Sequence, residues 1–373
     1  MSTLTITQLQ RFTKEAALAN ERELVSIRPA EESNSKYGNK PEDRKIKDYL
    51  RYGFIVLDKP QGPTSHEVVA WVRKMFEQER AGHSGTLDPM VSGILPIGLA
   101  DSTKALSVLL LGPKEYLCVA RIHDSIPKEM LYNTIKQFVG PIFQKPPQRS
   151  SVKRVTRTRT IYELEILEQQ GNLLLLRIVC EAGTYIRKLV YDIGEVIAVG
   201  ATMAELRRTR VCHLDETDLV RLHDLHEAHA IFKESGDESK LRELVRPVEF
   251  AVSFLKQIRI KDSAVESICQ GAQLAIPGIV SFSGGVEKGE IVRITTGKGE
   301  LVAISETQLS ENELTSQEHG LAALTKRVIM NPGTYPKMWK SKNEVLEAEE
   351  ISETLLRASI LDSLEKEDRT SSE

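Results

Sequence analysis

From Leu173 to Cys180 the chain is nearly all apolar, interrupted only by Arg177. A run this short and this apolar predicts a strand buried on both faces. It leads through Glu181, Ala182, Gly183 and Thr184 into a stretch with Ile186, Leu189, Val190 and Ile193 at helical spacing. A strand therefore gives way to an amphipathic helix within a few residues. Residues 53–57, 94–98 and 116–122 also read as strands. In the last of these, Tyr116, Cys118, Ala120 and Ile122 share one face. Lys59, Pro60, Gly62 and Pro63 break the first strand. Thr64 and Glu67 have the spacing of a capping box, ahead of a helix that buries Val68, Val72, Met75 and Phe76. Strands and helices alternate irregularly, which predicts an α+β catalytic domain, a mixed sheet with flanking helices, and not a doubly wound sheet. No glycine-rich nucleotide loop supports a dinucleotide or P-loop fold.

A change of composition near residue 250 predicts a second, β-rich module. Residues 258–260 read as a short strand. Asp262 or Ser263 can cap a helix running to Cys269, with Gly271 as its stop, and residues 290–295 and 300–304 form a hairpin across Thr296, Gly297, Lys298 and Gly299. Residues 1–48 are polar and mixed in charge, and read as an extension, not a core. The expected divisions are an extension at 1–48, a catalytic domain at 49–253, a small β-barrel at 254–340 and an acidic tail at 341–373.

The net charge of −3 argues at first against a nucleic-acid partner. It is unevenly spread. Residues 341–373 carry 10 acidic and 4 basic side chains, which leaves 46 basic against 43 acidic before them. Between residues 142 and 160 lie Lys145, Arg149, Lys153, Arg154, Arg157 and Arg159, with no acidic residue. Arg207, Arg208 and Arg210 form a second cluster. Each can be a phosphate-gripping stripe or a solvated face. Cys118, Cys180, Cys212 and Cys269 are far apart and form no CxxC pair, which predicts no disulfide framework, no structural zinc and a reducing cytosol. No run approaches the roughly 18–20 apolar residues of a membrane span, and the N-terminus does not read as a secretory signal. His223, His226 and His229 would spread over about a third of a helix's circumference. With no further ligand to complete a site, they read as surface histidines and no metal is expected.

One acidic residue stands apart from these charge runs. Asp88 follows Gly82 and Gly85 and precedes Pro89, and such a loop holds a short carboxylate in one place. By itself the pattern is a turn. The whole stretch from Ala81 to Ile97, however, resembles the catalytic-aspartate motif of the TruB-type pseudouridine synthases, most of all the archaeal and eukaryotic branch that works with H/ACA guide RNAs. The resemblance continues through residues 183–187, through 254–340, where it is to an RNA-binding PUA domain, and through Tyr335 to Trp339.

That resemblance implies an isomerase. Uridine becomes pseudouridine when the N1–C1′ bond is broken, the base turned and a C5–C1′ bond formed with loss of the C5 proton. No cofactor is implied. Asp88 is the expected nucleophile, with attack at C1′ (a glycal route being a variant) or at C6 both open to it. Free aspartate has a pKa of about 3.9, and a carboxylate buried in an apolar pocket wants a cation to stay charged. By resemblance Arg187 is that cation. Tyr116 packs against the base and is placed to handle the C5 proton. Tyr185 and Leu206 line the pocket, Lys59 supports its floor, and His83 fills the gap left by the flipped nucleotide. Lys145, Arg149, Lys153, Arg154, Arg157 and Arg159 fall beside the cleft, where they would grip RNA backbone. The implied partners are tRNA, rRNA and H/ACA guide RNA, with a small strut protein, a small β-barrel protein and a kink-turn-binding protein. The cytoplasm is the expected location, and no membrane is involved. The rival readings are a stand-alone tRNA-modifying enzyme and an RNA-binding scaffold without catalysis.

Overall fold

The computed structural model describes residues 10–15, 17, 23–29, 34–145 and 155–337. In chain order the strands are β1 (Leu24–Ser26), β2 (Gly53–Lys59), β3 (Ala81–His83), β4 (Ser92–Leu99), β5 (Lys114–Ile122), β6 (Gly140–Gln144), β7 (Arg157–Gln170), β8 (Leu173–Cys180) and β9 (Ala201–Val211). They continue with β10 (Leu214–Asp215), β11 (Arg246–Pro247), β12 (Gln257–Ile260), β13 (Leu274–Ala275), β14 (Ile279–Ser283), β15 (Ile291–Thr295), β16 (Leu301–Thr307) and β17 (Leu321–Val328). Two sheets result. A ten-stranded sheet runs β11-β2-β4-β9-β5-β8-β7-β6, with β10 on β9 and β3 on β4. A seven-stranded sheet runs β1-β14-β12-β15-β16-β17-β13.

The larger sheet is antiparallel except where β4 meets β9, through Ser92–Arg207 and Gly93–Arg208. β5 lies at its middle, between β8 and β9. Helix Ile186–Val196 covers one face, setting Leu189, Val190 and Ile193 against Cys118, Leu176 and Ile178. Only that face of β8 is fully closed. Leu174, Leu176 and Ile178 are buried, Leu173 is exposed, and Leu175 and Arg177 are intermediate. The expectation of a strand buried on both faces holds only at its end, where Val179 is also buried, and is otherwise corrected. Residues 173–178 alternate as an antiparallel strand does, and Arg177 points to the second face to bind Glu163 at 2.6 Å.

Helix Ser65–Met75 begins as expected. Thr64 Oγ accepts from the Glu67 amide at 3.1 Å, and the Glu67 carboxylate accepts from the Thr64 amide at 2.7 Å. Helix Asp262–Cys269 does not. Its N-cap is Lys261, with no side-chain cap, and Asp262 instead accepts from the amide of Asn34 at 2.9 Å. That bond belongs to a broader departure from the expectation for residues 1–48. β1 joins the C-terminal sheet by pairing with β14, and Val25, Ile27 and Tyr37 pack on its core. Lys298, in the β15–β16 hairpin, donates to the carbonyls of Asn34, Tyr37 and Gly38. A polar segment contributes to a core here because its few apolar residues meet a surface that is already built.

The two sheets are joined through Asp101. Its carboxylate, 5% exposed, takes Arg51 at 2.6 Å, Arg80 at 2.5 Å and Lys104 at 3.1 Å. Asn331, just past β17, donates to it at 3.0 Å.

Candidate active site around Asp88

The loop between β3 and β4 carries Asp88 on an anchored backbone. Leu87 and Val91 are buried pegs in the core beneath the sheet. The Val91 amide closes a turn on the Asp88 carbonyl at 3.0 Å. Ser65, the first residue of its helix and fully buried, brackets Leu87. Its hydroxyl donates to the Leu87 carbonyl at 3.0 Å and accepts from the Leu87 amide at 2.9 Å. From below, the fully buried Lys59 ammonium donates to the carbonyls of Pro60, Pro89 and Val91 at 2.9, 3.1 and 2.9 Å. Burial lowers the pKa of this ammonium, the Asp88 charge raises it, and Arg208 lowers it again, for a net depression.

The Asp88 side chain itself is 63% exposed, and its carboxylate meets Arg187 Nη2 at 3.4 Å. The expectation of a carboxylate buried in an apolar pocket is corrected: the backbone is held in place and the carboxylate is presented to the outside. Arg187 sits in the first turn of helix Ile186–Val196, with Tyr185 as N-cap. Gln144, at the end of β6, fixes that start. Its amide oxygen accepts from the Tyr185 amide at 2.9 Å, and its NH2 donates to the Tyr185 carbonyl at 3.1 Å. Gln144 was not foreseen, and no local pattern marks it. Its partner lies 41 residues on.

Tyr116 and Leu206 come from the adjacent strands β5 and β9 and both join the core under the Asp88 loop, Leu206 pairing with Cys118 and Tyr116 with Arg208. Burial raises the pKa of the Tyr116 hydroxyl, and the charge of the Arg208 guanidinium lowers it; the net shift is upward. His83 ends β3, its ring 5.2 Å from that of His66 and edge-on. Burial, then His66 and Arg208, bring its pKa to about 4, so it is neutral at physiological pH. The structure thus gathers Asp88, Arg187, Tyr116, Leu206, Lys59 and His83 around one loop, with Tyr185 at the helix start beside Arg187.

The basic stretches fare differently. Lys145 and Arg157 are exposed near the break between β6 and β7. Arg159 holds Glu181 at 3.2 Å and lies against Gly183. Arg149, Lys153, Arg154 and the acidic stretch 341–373 lie outside the described residues. Arg207, Arg208 and Arg210 are not a phosphate-gripping cluster. Arg207 binds Asp58 at 2.9 Å and Glu216 at 2.7 Å, Arg210 binds Glu115 at 3.4 Å, and Arg208 is buried. The signal for this was present: neighbours in a strand point to opposite faces, so three arginines in four positions cannot form one patch. His223 and His226 are exposed on helix Leu222–Ser235, while His229 packs edge-on against Phe76 at 5.4 Å. Among the described residues no group of three His, Cys, Asp or Glu side chains is placed to hold a metal. No described helix is long and apolar enough to cross a membrane.

A carboxylate held outward on an anchored loop beside an arginine is an arrangement that can serve as a nucleophile. Comparison with known proteins defines the class. Residues 73–186 match the TruB family pseudouridylate synthase (N terminal domain), 187–253 the tRNA pseudouridylate synthase B C-terminal domain, 14–69 the DKCLD (NUC011) domain and 256–329 the PUA domain. The chain belongs to the TruB family of pseudouridine synthases. It is 47% identical over 332 residues, 89% of this chain and 98% of the relative, to "Probable tRNA pseudouridine synthase B" of Methanosarcina barkeri. The relative so named from Methanopyrus kandleri is 48% identical over 88% of this chain and 98% of its own. Among solved structures, the chain matches one of a Cbf5-Nop10-Gar1 complex with a TM-score of 0.78 at 44% identity, over 85% of this chain and 97% of that one. It matches one of an H/ACA RNP bound to a substrate RNA containing 2′-deoxyuridine with a TM-score of 0.77 at 42% identity, over 85% and 97%.

Proposed function

We propose that this pseudouridine synthase works as the catalytic subunit of an H/ACA guide ribonucleoprotein on rRNA, and that Asp88 is its nucleophile. The observation that carries the site is the loop itself: a buried frame of Ser65, Lys59, Leu87 and Val91 around one outward carboxylate, 3.4 Å from Arg187. Isomerisation transfers no electrons to or from the enzyme. The N1–C1′ bond breaks, the C5–C1′ bond forms, and the C5 proton leaves as N1 gains one. Asp88 opens the sequence, Arg187 holds its charge and orientation, and Tyr116 handles the C5 proton. Leu206 and Tyr185 bound the base, and neutral His83 fills the space the flipped nucleotide vacates. Extruding that nucleotide costs a few kcal/mol, and stacking on Tyr116 offsets about 1–3 kcal/mol of it.

The guide-dependent reading is supported by 85% coverage of this chain by subunits solved in Cbf5-Nop10-Gar1 and substrate-RNA complexes. On it, the partners are a small strut protein, a small β-barrel protein, a kink-turn-binding protein and guide RNA. Lys145, Arg149, Lys153, Arg154, Arg157 and Arg159 flank the substrate backbone. We read the divisions as 1–48, 49–253, 254–340 and 341–373, and the place of action as the cytoplasm, in keeping with archaeal relatives and four free cysteines among the described residues. The relatives named for tRNA favour a second, guide-free activity on the T-loop uridine of tRNA.

Tritium release from tRNA and from guide-paired RNA, each labelled at C5 of uridine, separates these readings. Release only from the full assembly establishes the guide-dependent subunit. Release from tRNA with protein alone establishes the guide-free activity. No release from either substrate in any combination overturns both.

A further inference from the structure

We propose that Arg208 is a positioning residue that ties the Asp88 loop to β4 and sets its charge beside Tyr116. The proposal rests on the reading of Asp88 and Tyr116 given above. Arg208 is 1% exposed and heads the fully buried side chains by size. A planar guanidinium has five donors in a fixed fork, and here they reach two separate elements. Nε donates to the Ile94 carbonyl in β4 at 2.8 Å, and Nη2 to the Gly85 carbonyl at 3.0 Å, three residues before Asp88. Tyr116 is its cross-strand partner in β5, and the Arg208 charge acts on its hydroxyl.

Before Asp88 the backbone lies against this side chain, and after it against the main chain of the same residue. Gly85 has φ +85°, and a Cβ there would stand 3.3 Å from Arg208 Nη1. Gly93 has φ +101°, and a Cβ there would lie 2.2 Å from the Arg208 carbonyl oxygen. Its neighbour Arg207 is matched by Asp58 and Glu216. For Arg208 the groups that offset burial are Tyr116 and Cys180, not a carboxylate. A buried cation without an acid partner is costly. Its geometry accounts for it: a neutral side chain of the same volume cannot donate to Gly85 and Ile94 and also place a charge beside Tyr116, and lysine, a point donor, lacks the fork that spans both carbonyls.

The test uses the full chain with its RNA substrate. Single-turnover tritium release and RNA affinity are measured for Arg208→Lys and Arg208→Gln, with Asp88→Asn alongside. Both arginine variants are expected to lose turnover by about 100-fold or more, the scale of a roughly 1 Å misplacement of reacting groups, with RNA affinity unchanged. Hydrogen exchange of residues 84–91 is expected to be as slow in the wild type as that of β4 and to quicken in Arg208→Lys, while exchange of β15 and β16 stays as in the wild type. Wild-type turnover in a folded Arg208→Lys, or a loss of affinity that matches the loss of rate, overturns the proposal. So does fast exchange of 84–91 in the wild type, a measurement that stands even if neither arginine variant folds. If Asp88→Asn itself retains turnover, the reading of the site fails first. If Asp88→Asn is dead and Arg208→Lys is not, only the positioning role fails.

Discussion

Asp88 and Asp101 are both aspartates near the ends of β4, and they are handled in opposite ways. The Asp101 carboxylate is buried and saturated, with three cations and an asparagine amide on its two oxygens. Around Asp88 the polar contacts go to the backbone, and the carboxylate keeps one long ion pair with Arg187. A carboxylate that holds a structure together has its lone pairs occupied. One that reacts must keep them open, so its position has to be set by the main chain on either side of it. Exposed ion pairs contribute about 0–1 kcal/mol, and this places the Asp88–Arg187 contact with orientation, not with stability.

The sharpest way to break this contrast is to convert each aspartate to asparagine. Asp88→Asn is expected to lower turnover by at least ~10³-fold, with RNA affinity retained and stability changed by less than about 1 kcal/mol. Asp101→Asn should do the reverse, costing about 2–3 kcal/mol in urea unfolding while the folded fraction turns over normally. Tritium release and equilibrium unfolding of the same preparations decide it, and a comparable loss of activity in both variants would dissolve the distinction.

Acid titration sharpens it further. Burial alone would raise the Asp101 carboxyl, but hydrogen bonds from Asn331, Arg51 and Lys104 outweigh burial and bring its pKa to about 2. A depressed carboxyl stabilises the fold above its unfolded pKa, and that share, on the order of 2 kcal/mol, is lost only as pH falls from about 3.8 toward 2. Destabilisation at milder acidity has another origin. Burial brings His213, packed on Phe250 and Phe254, to a pKa of about 4, as it does His83. Between pH 6.5 and 4 the unfolded chain binds a proton at each that the folded chain excludes, so stability falls by about 3 kcal/mol per histidine across that window. His213→Gln should reduce the slope of urea midpoint against pH there by roughly half and leave the Asp101 window untouched.

A smaller effect tests the frame beneath Asp88. Lys59→Met leaves the carbonyls of Pro60, Pro89 and Val91 without their donor, at a cost of about 1–3 kcal/mol, and should lower turnover along with stability, unlike either aspartate change. Smallest is Arg157→Gln at the exposed rim. It is expected to weaken RNA binding modestly and reduce the salt slope by roughly 0.7–0.9 if one phosphate contact is lost. Arg159→Gln, already engaged with Glu181, should move that slope less.

Much of the site was legible in the chain. The 81–97 stretch pointed to Asp88, and the order of Lys59, Tyr116, Arg187 and Leu206 along it matched one family. Strand and helix patterns at 53–57, 65–76, 116–122 and 186–193 also carried through, because alternation and helical spacing are local properties of side-chain direction. The arginines of β9 mark where local reading stopped. Charge clustering suggested one surface patch. The strand sends Arg207 to two acids and Arg208 into the core, where its partners lie on β4, β5 and the Asp88 loop.

Composition and periodicity were enough to specify an α+β domain and a β-rich C-terminal module, and resemblance to a family singled out Asp88. The first two follow from interactions between residues a few positions apart. Tertiary structure alone decided that Asp88 faces outward, that Gln144 holds Tyr185 and that Arg208 is buried beneath the site. It alone also brought residues 24–27 and Tyr37 onto the C-terminal sheet. Each of these depends on which distant backbone group a polar side chain meets after the sheets close, and spacing along a chain does not encode that meeting.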